Sequence, residues 1–250
     1  MKLLVTFAVL AAGAFAQWPN QKSAKVPRLP DGKPNLSAPA PKTPDGHPDL
    51  SGVWQPGGSV GDIAKDLKPG EVPFTPWGEA LYKQRMETQG KYDPQAYCVL
   101  SGVPREDYVP YPFKILNSPG VIVVLYEALH SYRQIFTDGR ALPKDPNPTW
   151  MGYSIGHWDG DTLVVESSGF INEGWMDNNG HPNSESLKLT ERFHRRDFGH
   201  IDLSLTIDDA KAYTHPWSVK QTLTLQADDE LIEYVCSENE KDLHHLVGKQ

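Results

Sequence analysis

From residue 113 onward, apolar and polar residues alternate with a period of two. Ile201, Leu203, Leu205 and Ile207 alternate with Asp202, Ser204 and Thr206, so one face is buried and the other wet. The same reading places strands at 113–117, 121–127, 132–137, 151–158, 162–168, 187–194, 200–207, 218–226 and 231–236. Trp158-Asp159-Gly160-Asp161 reads as a two-residue hairpin turn, and 196–199 and 227–230 read as tight turns. A meander this long closes on itself or folds into two packed sheets, because an open twisted sheet leaves its edges exposed. The expectation is a mainly β domain, an antiparallel meander forming a barrel (lipocalin-style) or a sandwich, the barrel preferred, with one short N-terminal helix. For that helix Thr75 is the N-cap and Pro76 the first residue, and Trp77 and Leu81 are the expected packing positions.

Ahead of the strands the pattern differs. Met1-Lys2, an apolar run and Ala14-Phe15-Ala16 have the form of a signal peptide cleaved after Ala16. Residues 17–50 form a proline-rich extended arm in which Leu29-Pro30-Asp31-Gly32 and its sequel recur from Thr43-Pro44-Asp45-Gly46, two turn signals expected in a spacer or, second, in an arm that wraps the domain. Residues 51–250 form one mostly β domain. The protein is expected to be exported, periplasmic or secreted, with no transmembrane segment in the mature chain. Cys98 and Cys236 either pair in an oxidising compartment or stay as buried thiols. A net charge of −8 with dispersed cations disfavours nucleic acid as a partner.

Counting consecutive antiparallel strands puts the tight turns at one end and the long connections 138–150, 169–186 and 208–217 at the other. Long connections without regular structure are more often functional than idle, and barrel mouths are preferred places for pockets. That end carries Trp150, Trp175, Trp217, Tyr213, Arg140 and His215, a set suited to a small cyclic or amphipathic ligand, or alternatively a plug of core aromatics. Asp177 and His181 are the candidate acid–base pair, a carboxylate orienting an imidazole. Glu191 shares the apolar face of its strand and needs a buried partner, for which Arg133 is the candidate. No metal-ligand spacing, phosphate loop, dinucleotide fingerprint or nucleophile elbow is present, so no cofactor and no metal are expected.

The stretches Asp45-Gly46-His47-Pro48-Asp49-Leu50-Ser51-Gly52-Val53-Trp54, Arg133-Gln134-Ile135-Phe136-Thr137-Asp138-Gly139-Arg140 and 148–166 resemble an uncharacterised family of exported bacterial proteins. The resemblance implies export and a shared fold, and brings no activity with it. Gly52-Val53-Trp54 is also similar to the Gly-x-Trp of the first lipocalin strand, which adds to the case for a barrel. Three functional readings follow. The first is an exported small-molecule-binding protein with an aromatic-lined mouth. The second is a cofactor-independent lyase, isomerase or hydrolase using Asp177 and His181 at the same mouth, and the third is a protein that docks to a partner through its arm.

Overall fold

The computed structural model describes residues 22–238; the signal-peptide reading of residues 1–16 lies outside them. Nine strands close a barrel in chain order: β1 (Gly52–Pro56), β2 (Phe113–Ser118), β3 (Val121–Tyr126), β4 (Ser131–Phe136), β5 (Tyr153–Asp159), β6 (Thr162–Ser168), β7 (Lys188–Arg195), β8 (His200–Asp208) and β9 (Trp217–Leu225). Helix α1 (Pro76–Glu87) sits in the long connection between β1 and β2.

Two expectations need correction. Residues 231–236 form no strand, because the edge of β9 is taken by β1, with Trp54 opposite Leu225 and Pro56 opposite Leu223. This segment instead crosses the surface, where the Ile232 amide donates to Glu127, and is tied down by a disulfide between Cys98 and Cys236. Their Cα atoms are 5.7 Å apart, a normal span for a bridge.

The second correction concerns direction. Strands β4 and β5 run parallel, joined through Ile135 opposite Ser154 and Phe136 opposite Ile155. Parallel neighbours need a crossover of about a dozen residues or more. Residues 137–152 meet that need and run back along the barrel instead of looping over one end. The remaining pairs are antiparallel. One end therefore carries the short turns 119–120, 160–161 and 196–199, and the other carries the short turn 127–130 and the connections 57–112, 169–187 and 209–216.

The described part of the proline-rich segment, 22–50, lies against the short-turn end, as a wrapping arm and not a spacer. Each Pro-Asp-Gly closes a small loop, through bridges Arg28 to Pro34 and Lys42 to Pro48, with Gly32 and Gly46 at φ of +83° and +91°. Backbone amides of Phe198 and Gly199 donate to Ala38 and Leu36, and His47 stacks on Trp158 at 4.6 Å.

The interior is filled. Trp54, Phe113, Ile115, Leu163, Val165, Leu189, Ile201, Leu203, Leu205 and Leu223 are buried in one core. Within it lies one polar knot. Arg133 donates to both oxygens of Glu191, to Ser154 Oγ at 3.0 Å and to Ser167 Oγ at 2.8 Å. Glu191 thus has the partner its strand parity demands. Asp107, from the 57–112 connection, reaches the same knot; it accepts from Tyr126 Oη at 2.7 Å, and its backbone carbonyl accepts from Gln221 at 2.7 Å. Burial and the adjacent Glu191 push the Asp107 carboxyl well above the ordinary range. The connection 57–112 is therefore a plug pinned into the barrel, with Ile63, Val103 and Tyr108 joining the core.

Candidate functional site

Against the plug lies the connection between β6 and β7. Within it, Trp175 bridges to Pro182 and the Met176 amide donates to the His181 carbonyl at 3.1 Å, making a small closed loop. Asp177-Asn178-Asn179-Gly180 forms its tip, with Gly180 at φ +86°, a conformation that favours glycine. The Asp177 carboxylate sits inside the loop. Its Oδ1 accepts from the amides of Gly180 at 2.9 Å and His181 at 3.0 Å, and its Oδ2 accepts from the Ile63 amide at 2.9 Å and from His181 Nδ1 at 2.6 Å.

Those four donors use the full acceptor capacity of a carboxylate. Nδ1 must then carry the imidazole proton, which leaves Nε2 as the nitrogen available to a ligand. The loop is held from three sides. The amides of Asn178 and Asn179 donate to Val60 and Gly61. Arg105, paired with both oxygens of Asp93, donates to Asn178 Oδ1 at 2.6 Å. Arg85 of α1 reaches the Gly180 carbonyl at 3.4 Å and lies 5.0 Å over the Trp175 ring; burial pushes its guanidinium down to about 10.

Helix α1 starts where expected, with Thr75 Oγ1 accepting from the Gly78 amide at 3.1 Å. It does not pack through Trp77, which is 40% exposed beneath Lys211. The packing face is Gly78, Tyr82 and Arg85. A Cβ at Gly78 would lie 2.2 Å from the Ala212 carbonyl oxygen, so glycine is what lets the helix dock on the 209–216 connection. Docking brings Tyr82 over His181, with ring centres 4.6 Å apart. Phe74 at 5.7 Å and Trp217 at 5.8 Å complete the aromatic surround, with Tyr213 against both of them. Burial, reinforced by Asp62 and Asp177, raises the Tyr82 hydroxyl.

His181, Phe74, Tyr82 and Asp62 line a cleft of about 400 Å³ between α1 and residues 62–72. The residues expected at a barrel mouth are thus divided. Asp177, His181, Tyr213 and Trp217 come together, and Trp175 lies under the same loop. Trp150 lies instead beside Tyr132, Phe136 and Tyr153 in a groove of about 360 Å³ where β4 meets β5. Arg140 pairs with Asp138 and bonds Tyr153 Oη at 3.0 Å. His215 is exposed, with Nδ1 on its neighbour's carbonyl at 3.0 Å. The crossover and the two long connections do meet, around a cleft of about 760 Å³, but none of the expected aromatic residues lines it.

Asp62, Phe74 and Tyr82 were not visible as site residues in the sequence, since all three lie about a hundred positions from His181. Asp62, Asp177 and His181 present ligand atoms within 4.8 Å of one another, so a cation is geometrically conceivable. The hydrogen bonding argues against that use. A cation would have to displace the Nδ1 proton or a backbone amide from a carboxylate whose lone pairs are all engaged, whereas a lone pair on Nε2 needs no rearrangement. The chain matches no family model, no curated protein and no solved structure.

Proposed function

We propose that this is an exported protein that binds a small molecule in the His181 cleft and moves a proton on it, with Asp177 holding the imidazole. The observation that carries this reading is the buried Asp177, saturated by four donors and 2.6 Å from Nδ1 of a histidine that lines a cleft. Nε2 takes a proton from an acidic O–H or C–H of the bound molecule. The imidazolium that forms is stabilised by the carboxylate at Nδ1, and the proton returns to the same molecule or to its product. This favours the acid–base reading over simple retention of a ligand, because a binder has no need of a charge-stabilising partner behind the histidine. Export is supported by the disulfide. It is compatible with the finding that no helix among the described residues is long and apolar enough to cross a membrane.

The test is turnover. Purified protein is offered a panel of carbon acids, followed by proton NMR in deuterated water, and a panel of activated esters. Loss of a positioned acid–base group costs about 10²–10⁴-fold in rate. His181→Ala and His181→Gln should both lose turnover on that scale while keeping the circular dichroism of the parent. Turnover that survives both substitutions overturns the proposal. Tight binding with no turnover would leave a binding protein.

A further inference from the structure

The seam between β4 and β5, remote in the fold from His181, leaves part of the barrel's own hydrogen bonding open. Closure there takes only two residue pairs, Ile135 with Ser154 and Phe136 with Ile155. The β3 side fixes which edge of β4 each residue uses. The Thr137 amide donates to the Gly120 carbonyl at 2.8 Å, so that pair is a hydrogen-bonded one. Alternation along an antiparallel ladder then turns the backbone groups of Ser131, Arg133 and Ile135 toward β3, and those of Tyr132, Gln134 and Phe136 toward β5. The two pairs with β5 engage Phe136 and the Gln134 carbonyl. The Tyr132 amide and carbonyl and the Gln134 amide have no backbone partner among the described residues. The chain leading into β5 bends away from them. Thr149 bonds to the segment after β6 instead, donating to the Gly169 carbonyl at 3.0 Å and accepting from the Ile171 amide at 3.0 Å, and Gly152 turns the chain at φ +64°. The gap that results is the groove of about 360 Å³ already described.

The mouth of this groove is aromatic and its lining is neutral. Tyr132 points outward and is 64% exposed. Phe136 stacks on Tyr153 at 5.3 Å, and Arg140, matched by Asp138, holds both by lying 3.9 Å over the Phe136 ring and donating to the Tyr153 hydroxyl. Arg133, the one charged residue of the lining, is matched by Glu191. We propose that the groove is a second binding site and that it takes a neutral pyranose sugar. Each sugar hydroxyl both donates and accepts, so hydroxyls on successive ring carbons can meet two amides and a carbonyl spread along about 7 Å of strand edge. The C–H face of the ring lies on Tyr132. A carboxylate or an ammonium would enter without a countercharge. An added peptide strand would find too short an edge, because β5 takes over two residues after Tyr132.

Amide NMR of the purified protein tests both the edge and its occupant. Without ligand, hydrogen exchange should be slow at Arg133 and Ile135, which bond to β3, and fast at Tyr132 and Gln134. Equal protection at all of these positions means that the edge is already filled, and overturns the site. The methyl glycosides of glucose, mannose, galactose and xylose are then added in turn, with glucuronate as the charged control and adenine as the flat heterocycle. At least one neutral pyranoside should shift the Tyr132 and Gln134 amides and slow their exchange. Tyr132→Ala, a change on the outer surface, should weaken that pyranoside about tenfold. The proposal is overturned if no pyranoside moves these amides, if glucuronate binds as well as the neutral sugars, if adenine binds in their place, or if Tyr132→Ala leaves the affinity unchanged.

Discussion

Glu106 should make the protein lose stability as pH rises through neutrality. The side chain is completely buried in the plug, and among the described residues neither of its carboxylate oxygens has a well-formed hydrogen bond, the Ser101 backbone being only a weak partner. Burial pushes its pKa from 4.5 up to about 7, with the Ser101 backbone and Arg105 offsetting only part of the shift. The folded state therefore holds a proton that the unfolded chain releases at lower pH. Stability from this group is complete below pH 4.5, falls by about 1.4 kcal/mol per pH unit between 4.5 and 7, and is gone above 7, a total of about 3 kcal/mol. Glu106→Gln has the shape of the protonated acid and cannot ionise. Urea unfolding of both proteins at pH 5 and pH 8 isolates the effect, since the other titrating groups cancel in the difference. The variant should roughly match the parent at pH 5 and exceed it by about 3 kcal/mol at pH 8. Parallel pH profiles would show that Glu106 is solvated in solution and that the plug admits water, refuting its burial.

The Arg133 and Glu191 pair should behave as a buried unit. Arg133→Met alone strands a fully buried carboxylate and should cost about 3–5 kcal/mol, whereas the double variant with Glu191→Met should recover much of that loss; equal costs for single and double variants in urea unfolding would contradict the pairing. Removing the disulfide through Cys98→Ser with Cys236→Ser opens a loop with a sequence separation of 138 residues, for which chain entropy predicts a loss of up to about 5 kcal/mol, and thermal unfolding with and without reductant checks it. Gly78→Ala sets two effects against each other. Alanine gains about 1 kcal/mol of helix propensity, but the overlap with Ala212 should cost about 1–3 kcal/mol. The net prediction is a small loss of stability together with a disturbed Tyr82 signal in NMR, and a stabilised protein with Tyr82 unchanged would refute the close packing.

Much of the barrel was legible because burial on one face writes itself as alternation, and eight of the nine expected strand segments are strands in the fold. Strand β1 was harder, since it is short, begins with glycine and ends with proline, and only its Gly-x-Trp marked it. Strand direction was not legible at all. Alternation is the same for parallel and antiparallel neighbours, so the crossover at 137–152 escaped the count of strand ends and took Arg140 and Trp150 away from the site. Glu191 and Arg133 were legible for the opposite reason, as a charge on an apolar face requires a countercharge on another. Asp177 and His181 lie four residues apart, so their meeting was local and foreseeable. Asp62, Phe74 and the buried Glu106 belong to irregular, proline-broken parts of the plug where periodicity says nothing, and Tyr82, although on the foreseen helix α1, meets His181 only through the tertiary docking of that helix.

The proton arrangement of His181 tests the central claim most directly. Two-dimensional NMR of the protein with ¹⁵N-labelled histidine reads the tautomer from the nitrogen shifts. Neutral His181 should carry its proton on Nδ1, held by Asp177, with Nε2 bare and responsive to molecules entering the cleft. A proton on Nε2, or an Nε2 that no added molecule perturbs, would contradict it and leave Asp177 and His181 as a structural pair that closes a loop.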